Sequence, residues 1–308
     1  MRHMLALKYV DAVARAGSIR GAAEVLAITP SALNRRILAI EEELDIEIFE
    51  RHAQGVRLNS AGELFIHHVR AQMADLERVR SQIADLSGVR IGHVRIATTK
   101  EIGGRLLPRL IQAYRADFPG VTFSLHAYDR GQVEQQLHNL EADIVVMFQP
   151  LRLADMQVIS HQQQHLSVAM AADHPLAAQP ELRLVDFLEH NPLLPPRGEG
   201  IREIVEAACV KKGLNCKPTI ESDDSALLRH LARQGAGLAL DLPLTISASP
   251  QESELAYRPF KAHEIEPGFL FVGQLHKRNL PVAARKFADQ LREMFEREME
   301  RLPKIETP

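Results

Sequence analysis

The chain has 308 residues, 45% of them hydrophobic and 25% charged, proportions of a globular protein and not of a disordered one. Its length suggests two or three domains. Lys and Arg total 37 against 40 Asp and Glu, a formal charge of -3, which excludes a uniformly basic coat for nucleic acid but leaves room for a local basic patch. Two cysteines, Cys209 and Cys216, are too few for a disulfide framework and have no His at zinc-finger spacing. Trp is absent and aromatics make up 5%, so stacking platforms for single strands are poorly supplied. Residues 1–10 lack the apolar run of a secretory signal. No stretch reaches the ~20 apolar residues of a membrane span. The expectation is a cytoplasmic protein without a membrane partner.

Residues 5–59 read as short helices. Leu5, Val10 and Val13 with Ala12 and Ala16 form an apolar stripe, and Gly17-Ser18 ends that helix and offers Ser18 as the next N-cap. After a second short helix and the tight link Ala27-Ile28, Thr29-Pro30 is an N-cap followed by Pro at the first helical position. This is the pattern of a helix-turn-helix. A recognition helix presents small polar and basic side chains near its N-terminus, the end that enters the major groove. Thr29, Pro30, Ser31, Asn34, Arg35 and Arg36 lie there, with Ser18 beside them. Arg and Asn bond base edges in pairs, and Ser and Thr reach phosphates or bases. Residues 1–40 carry six basic and two acidic side chains, whereas residues 41–50 carry six acids and no base, so the acidic run should face away from DNA. Arg51 and Arg57, flanking the turn residue Gly55, suit a wing beside the groove.

A long helix follows, from about Asn59 to Ser87. Phe65, Val69, Gln72, Leu76, Val79, Ile83 and Leu86 alternate at spacings of four and three, a heptad seam that asks for a partner helix. From Val94 the pattern becomes strand, helix, strand, helix, strand, which implies a parallel sheet with helices on both faces. A similar set recurs over residues 166–242, and a terminal helix starts at Val282. Two α/β lobes fit the length better than one.

The segment Gly17-Ser18, Ala22-Ala23, Leu26, then Leu33-Asn34-Arg35-Arg36-Ile37, Ile40-Glu41, Ile48-Phe49-Glu50-Arg51 and Leu58-Asn59-Ser60-Ala61-Gly62 resembles, in order and spacing, the N-terminal signature of the LysR-type transcriptional regulators. The resemblance extends over the whole chain. It implies an α N-terminal winged helix-turn-helix (1–59), a dimerising linker helix (60–90), and an α/β two-lobed effector domain (91–308) like the periplasmic-binding-protein fold of type 2. Lobe I would take about 91–162 and 267–308, and lobe II about 163–266. Such regulators assemble as homodimers or homotetramers on double-stranded promoter DNA and respond to a small-molecule effector. Pro30, Asn34, Asp45 and Asn59 depart from the usual residues of that signature. Base preference is therefore not transferable, and Asp45 bears on its local turn.

An effector cleft between the lobes is the second candidate. Thr98-Thr99-Lys100-Glu101 follows a strand and opens a helix, where free N–H groups favour an anion. Opposite it, Arg197, Gly198 and Gly200 precede another helix, and Arg197 is positioned to clamp a carboxylate or phosphate. Asp129, Met147, Phe148 and Asp223 stand at strand ends as walls. A small, anionic effector is the resulting expectation. His161 and His165 have a spacing that suits a metal on a helix, but a polar hinge is the preferred reading. Cys209 is read as core and Cys216 as exposed. No cofactor, no metal and no catalytic triad or paired-carboxylate arrangement is expected. A cytoplasmic solute-binding protein and a two-domain α/β enzyme using the cleft are the alternatives.

Overall fold

The computed structural model describes residues 2–86, 91–103, 106–243 and 255–301. The expected helix end at Ser87 and linker residues 87–90 lie outside the described residues, as do 244–254 of the expected second lobe and 302–308. The chain divides into two compact units, Met1–Ile83 and Ala84–Pro308.

The first unit contains α1 (Arg2–Ala16), α2 (Ile19–Val25), α3 (Pro30–Leu44), the hairpin β1 (Phe49–His52) and β2 (Gly55–Leu58), and the start of α4 (Ser60–Leu86). Leu7, Val10 and Val13 of α1 meet Ala22 and Ala23 of α2 and Leu33 and Ile37 of α3 in one core. The small alanines let α2 sit close. Ser18 caps α2 by accepting the Gly21 N–H at 3.0 Å. Asp45 ends α3 with φ 52, a left-handed conformation that Asp tolerates better than most residues. The turn forms despite the departure there.

Two glycines fasten the hairpin by close backbone approach. A Cβ on Gly55 would lie 2.3 Å from the Gly17 carbonyl oxygen, and one on Gly62 would lie 2.1 Å from that of Ile48. Val56 donates its N–H to the same Gly17 carbonyl at 2.8 Å. Asn59 starts α4 by accepting the Gly62 N–H at 2.7 Å, and its amide donates to the Glu47 carbonyl at 2.7 Å. Glu41, in the acidic run, accepts the N–H groups of Ile48 and Phe49 at 2.8 and 3.1 Å. At least this acid shapes the hairpin instead of facing solvent.

The apolar stripe of α4 has two fates. Val69 is fully buried in the first unit's core, and Phe65 and Met73 pack against that core. Arg70 beside them is buried, 2.8 Å from Asp11, whose other oxygen pairs with Arg15 at 2.7 Å. Val69 is thus not available to a partner helix, contrary to the heptad reading. A compact domain takes the first available apolar face of the helix that follows it. Val79, Ile83 and Leu86 are exposed, Leu86 to 88%.

The second unit holds two sheets, which we call lobe I and lobe II. In chain order, lobe I starts with β3 (Gly92–Thr99), α5 (Lys100–Gly103), α6 (Leu106–Asp117), β4 (Val121–Tyr128), α7 (Arg130–His138), β5 (Ile144–Phe148) and β6 (Met156–Gln164). Lobe II follows with β7 (Ser167–Ala171), α8 (Leu184–Glu189), β8 (Leu193–Leu194), α9 (Gly200–Lys212), β9 (Ile220–Glu221), α10 (Ser225–Arg233), β10 (Ala239–Asp241) and β11 (Leu255–Pro259). The chain then returns to lobe I as β12 (Gly268–Leu275) and α11 (Val282–Arg301). The sheet of lobe I has the order β4-β3-β5-β12-β6, with β3 parallel to both neighbours and β12 antiparallel to both.

Lobe II does not repeat this parallel arrangement. Its sheet is antiparallel in the order β10-β7-β11, and parallel pairing is confined to β8–β9 and isolated bridges. Parallel neighbours require a long crossover, and none delivers a strand alongside β7 in its own direction. His161 lies on β6, which ends at Gln164, and His165 falls in the short link from β6 to β7, so the pair shares no helical face; the segment is strand up to that link between the lobes. Cys209 is buried on α9, and Cys216 is half-buried against the same core. Cys216 is therefore less exposed than its position in the sequence suggests. No helix among the described residues is long and apolar enough to cross a membrane.

One strained turn is testable. Ala27, exposed between α2 and α3, has φ 53, a conformation that costs an L-residue about 1–2 kcal/mol and glycine nothing. Ala27→Gly is expected to raise the stability of the first unit by about 0.5–1 kcal/mol in urea unfolding, after the unfolded-state cost of glycine. A lowered midpoint would refute the strain.

Candidate functional site

The first candidate face is the start of α3. Thr29 caps it by accepting the Ala32 N–H at 3.3 Å, and its hydroxyl lies 3.3 Å from that of Ser31. Pro30 occupies the first turn, where no backbone donor is lost. Thr29, Pro30, Ser31, Arg35 and Arg36 are all exposed, while Ser18 and Asn34 are half-buried. The Asn34 side-chain oxygen is enclosed without a hydrogen-bond partner. Arg36 is not wholly free to reach outward: its guanidinium stands 5.0 Å from the centre of the Tyr9 ring, a cation–π contact that steadies it. The sequence reading missed this contact, since nothing local marks Tyr9. On the hairpin, Arg51 and Arg57 are exposed, with Arg51 opposite Val56 and Arg57 opposite Glu50.

The second candidate is a pocket of about 660 Å³ between the lobes, lined from lobe I by Lys100, Asp129 and Arg130 and from lobe II by Arg197, Gly198, Glu199 and Asp223. Lys100 begins α5, and its ammonium pairs with Asp129 at 2.7 Å and Asp223 at 2.8 Å. Both carboxylates hold the Lys100 charge well above its ordinary range through hydrogen bonds, and Lys100 in turn depresses Asp223. Arg130 is buried at 3% exposure. It donates to the Gly198 carbonyl and the Gln149 carbonyl, each at 2.8 Å, and pairs with Glu203. Sequence reading overlooked Arg130 because an arginine opening a helix looks like an ordinary surface residue.

Beneath Lys100 lie two enclosed carboxyl groups, Glu101 and Glu199, which border a smaller recess between the same elements. Glu101 Oε1 and Glu199 Oε2 are buried without partners. Burial pushes Glu101 from 4.5 up to about 7, against its own backbone and the Thr99 hydroxyl, which lower it. Glu199 is raised as well, by burial first and then by the charge of Asp129.

Several expected contacts fall elsewhere. Thr98 and Thr99 are fully buried. Thr98 donates to the Val146 carbonyl at 2.7 Å, and Thr99 accepts the Phe148 N–H at 3.3 Å. They tie β3 to β5 and cannot present hydroxyls to a ligand. Phe148 and Met147 are also fully buried. Phe148 fills the space left by two glycines, since a Cβ on Gly268 would lie 2.2 Å from its ring and one on Gly200 3.0 Å. Gly200 is thus a packing residue. Arg197 is exposed and paired with Glu206 at 3.1 Å, which Arg202 shares at 2.8 Å. Its charge is turned along α9.

These placements bear on two expectations. Each cation of the pocket is already paired with a carboxylate or carbonyl, so the expected anion finds no ready-made partner there. Paired carboxylates, expected nowhere, are brought together from Glu101, Asp129, Glu199 and Asp223, four positions too far apart in sequence to form a motif. Among the described residues, no group of three or more His, Cys, Asp or Glu has the arrangement of a metal site.

The Glu101 environment has a pH signature. Between 4.5 and about 7 the unfolded chain has lost this proton while the folded chain keeps it, so stability falls as pH rises through that window. The difference corresponds to about 3 kcal/mol. Glu101→Gln removes it, so urea unfolding should show the wild type losing stability relative to the variant from below 4.5 to above 7. A constant difference across that range would mean that the carboxyl is not enclosed.

Comparison with known proteins agrees with both parts of this description. Residues 4–63 match the model of the bacterial regulatory helix-turn-helix proteins of the lysR family, and residues 87–296 match the LysR substrate binding domain. The HTH-type transcriptional regulator YvbU of Bacillus subtilis (strain 168) is 26% identical over 290 residues, covering 94% of this chain and 97% of that one. The RuBisCO operon transcriptional regulator of Allochromatium vinosum is 26% identical over 260 residues, 84% of each. Among solved structures, full-length OxyR from Pseudomonas aeruginosa superposes with a TM-score of 0.70 at 22% identity over 94% of both chains. Full-length CbnR, solved with its target DNA, gives 0.62 at 20% identity over 94% of this chain and 99% of that one. With a helix-turn-helix match at its start and a substrate-binding match over more than half its length, the chain belongs to the LysR family of transcriptional regulators.

Proposed function

We propose that this regulator reads double-stranded promoter DNA with the start of α3, seats a small effector between lobes I and II, and pairs with a second copy through the distal half of α4. The observation that carries the reading is the exposed cluster Thr29, Ser31 and Arg35 at a capped helix start, the end that enters a major groove. Arg36 contributes charge from its place over Tyr9, and Arg51 and Arg57 reach phosphates or the minor groove. Asn34, half-buried, joins them only if its side chain swings outward. We read the protein as cytoplasmic, since its proposed target is promoter DNA. Assembly as a homodimer, or as a tetramer of two such pairs, follows from the exposed Val79, Ile83 and Leu86 together with Gln72 and Leu76. The relative CbnR has been solved with its target DNA, which supports the DNA reading by kinship. We read the chain as a regulator and not an enzyme, so effector recovered after binding should be chemically intact.

An effector shifts the population of lobe and dimer arrangements only through unequal affinity for them. The Lys100–Asp223 pair and the Arg130 contacts with Gly198 and Glu203 join the lobes, and the Lys100–Asp223 pair, nearer solvent, is the contact such a ligand would exchange.

Two measurements test the proposal. Arg35→Ala should weaken binding to the chain's operator by about tenfold or more and reduce the slope of log affinity against log salt by about 0.9; adding Arg36→Ala should steepen both losses. Unchanged affinity and slope in the double variant would remove α3 from the groove. Ile83→Glu places a charge on the exposed stripe and should shift the full chain toward monomer in sedimentation; an unaltered oligomer would locate the contact elsewhere.

A further inference from the structure

The pocket between the lobes contains a cation already, supplied by the chain itself. Lys100 sits between Asp129 and Asp223 at 2.7 and 2.8 Å, and its side chain is 28% exposed while theirs are more than half exposed. Below it, Glu101 and Glu199 are more than nine-tenths buried, and each has an oxygen facing no donor. The nearby Arg130 does not hydrogen-bond either of these oxygens: four of its five N–H groups go to the Gly198 and Gln149 carbonyls and Glu203. Leaving an acceptor enclosed and unpaired is costly, and the cost is recovered when a donor arrives. We propose that the effector is a small organic cation, an amine or guanidine whose N–H groups fill the recess between Glu101 and Glu199 and which competes with Lys100 for Asp129 and Asp223. This rests on the reading that the effector binds between the lobes, and specifies its chemistry.

The charge balance favours this ligand over an anion. A carboxylate entering the recess meets Glu199, Asp129 and Asp223 with no unengaged cation to answer it, and like charges at short range repel. An ammonium meets the oxygens of Asp129, Asp223 and Glu199, and its charge favours loss of the proton that Glu101 otherwise keeps. Displacing Lys100 is feasible because its stem is long and its head is near water. Loss of the Lys100–Asp223 contact then releases one polar attachment between the lobes, which converts ligand charge into a change of lobe spacing.

The test uses four probes of matched length with the full chain: 1,4-diaminobutane, 4-aminobutanoate, succinate and 1,4-butanediol. The diamine is expected to raise the thermal midpoint and to bind at millimolar concentration or below, and the diol to do neither. Glu101→Gln and Glu199→Gln should each weaken the diamine about tenfold or more, as loss of a charge-assisted hydrogen bond does. Lys100→Met should bind it at least as tightly as the wild type, because the tethered competitor is gone. Succinate binding that Lys100→Met abolishes would overturn the cationic effector while keeping the pocket as the effector site. No binding of the diamine at millimolar concentration would overturn it too. Diamine binding indifferent to both Gln variants would place the ligand outside the pocket and overturn both readings.

Discussion

Two cations of lobe I, Lys100 and Arg130, reach across to lobe II and add polar contacts to the apolar core that the lobes share. Arg130 is buried and hydrogen-bonded to carbonyls as well as to Glu203. It is therefore a structural fixture, since an enclosed guanidinium left without partners would cost several kcal/mol. Lys100 is different in kind. It lies near solvent, its pairing with Asp223 is exchangeable, and exposed ion pairs contribute little stability. Arg130 is thus a fixed contact between the lobes, and the Lys100 pair is the one that a competing charge would exchange.

The elements of the fold were largely legible because each leaves a local trace. Thr29-Pro30, Gly17-Ser18 and the alternation of strands and helices after Val94 are written in neighbouring residues. The antiparallel sheet of lobe II was not legible, because strand direction depends on which distant strands meet. The heptad stripe of α4 was read correctly as apolar but not as divided. Val69 and Ile83 have the same spacing and type, and only the neighbouring core distinguishes the first from the second.

The sites divide along similar lines. The exposed cluster on α3 follows from a cap, a proline and basic residues within one turn, all adjacent in sequence. The pocket draws Lys100, Asp129, Glu199 and Asp223 from four separate connections. The helix start after β3 contributes Lys100 and Glu101 to the pockets between the lobes, but not Thr98 and Thr99. Those hydroxyls instead bond the backbone of β5, because both residues are still paired within the sheet, with neighbouring strands on either side of β3. For Glu101, one residue beyond Lys100, the sequence indicates a place near the cleft but not the distinguishing property, an enclosed carboxyl, which no sequence pattern encodes.

The division of α4 has a thermodynamic consequence. With Val69 absorbed by its own domain, the stripe left for a second copy is short, whereas stable interfaces bury more than about 1,000 Å². Two copies joined by so narrow a strip would part on dilution unless other surfaces contribute. A duplex carrying two half-sites makes the second encounter intramolecular and raises the effective concentration sharply. The promoter then acts as a splint, and the protein need be a firm pair only where it is working.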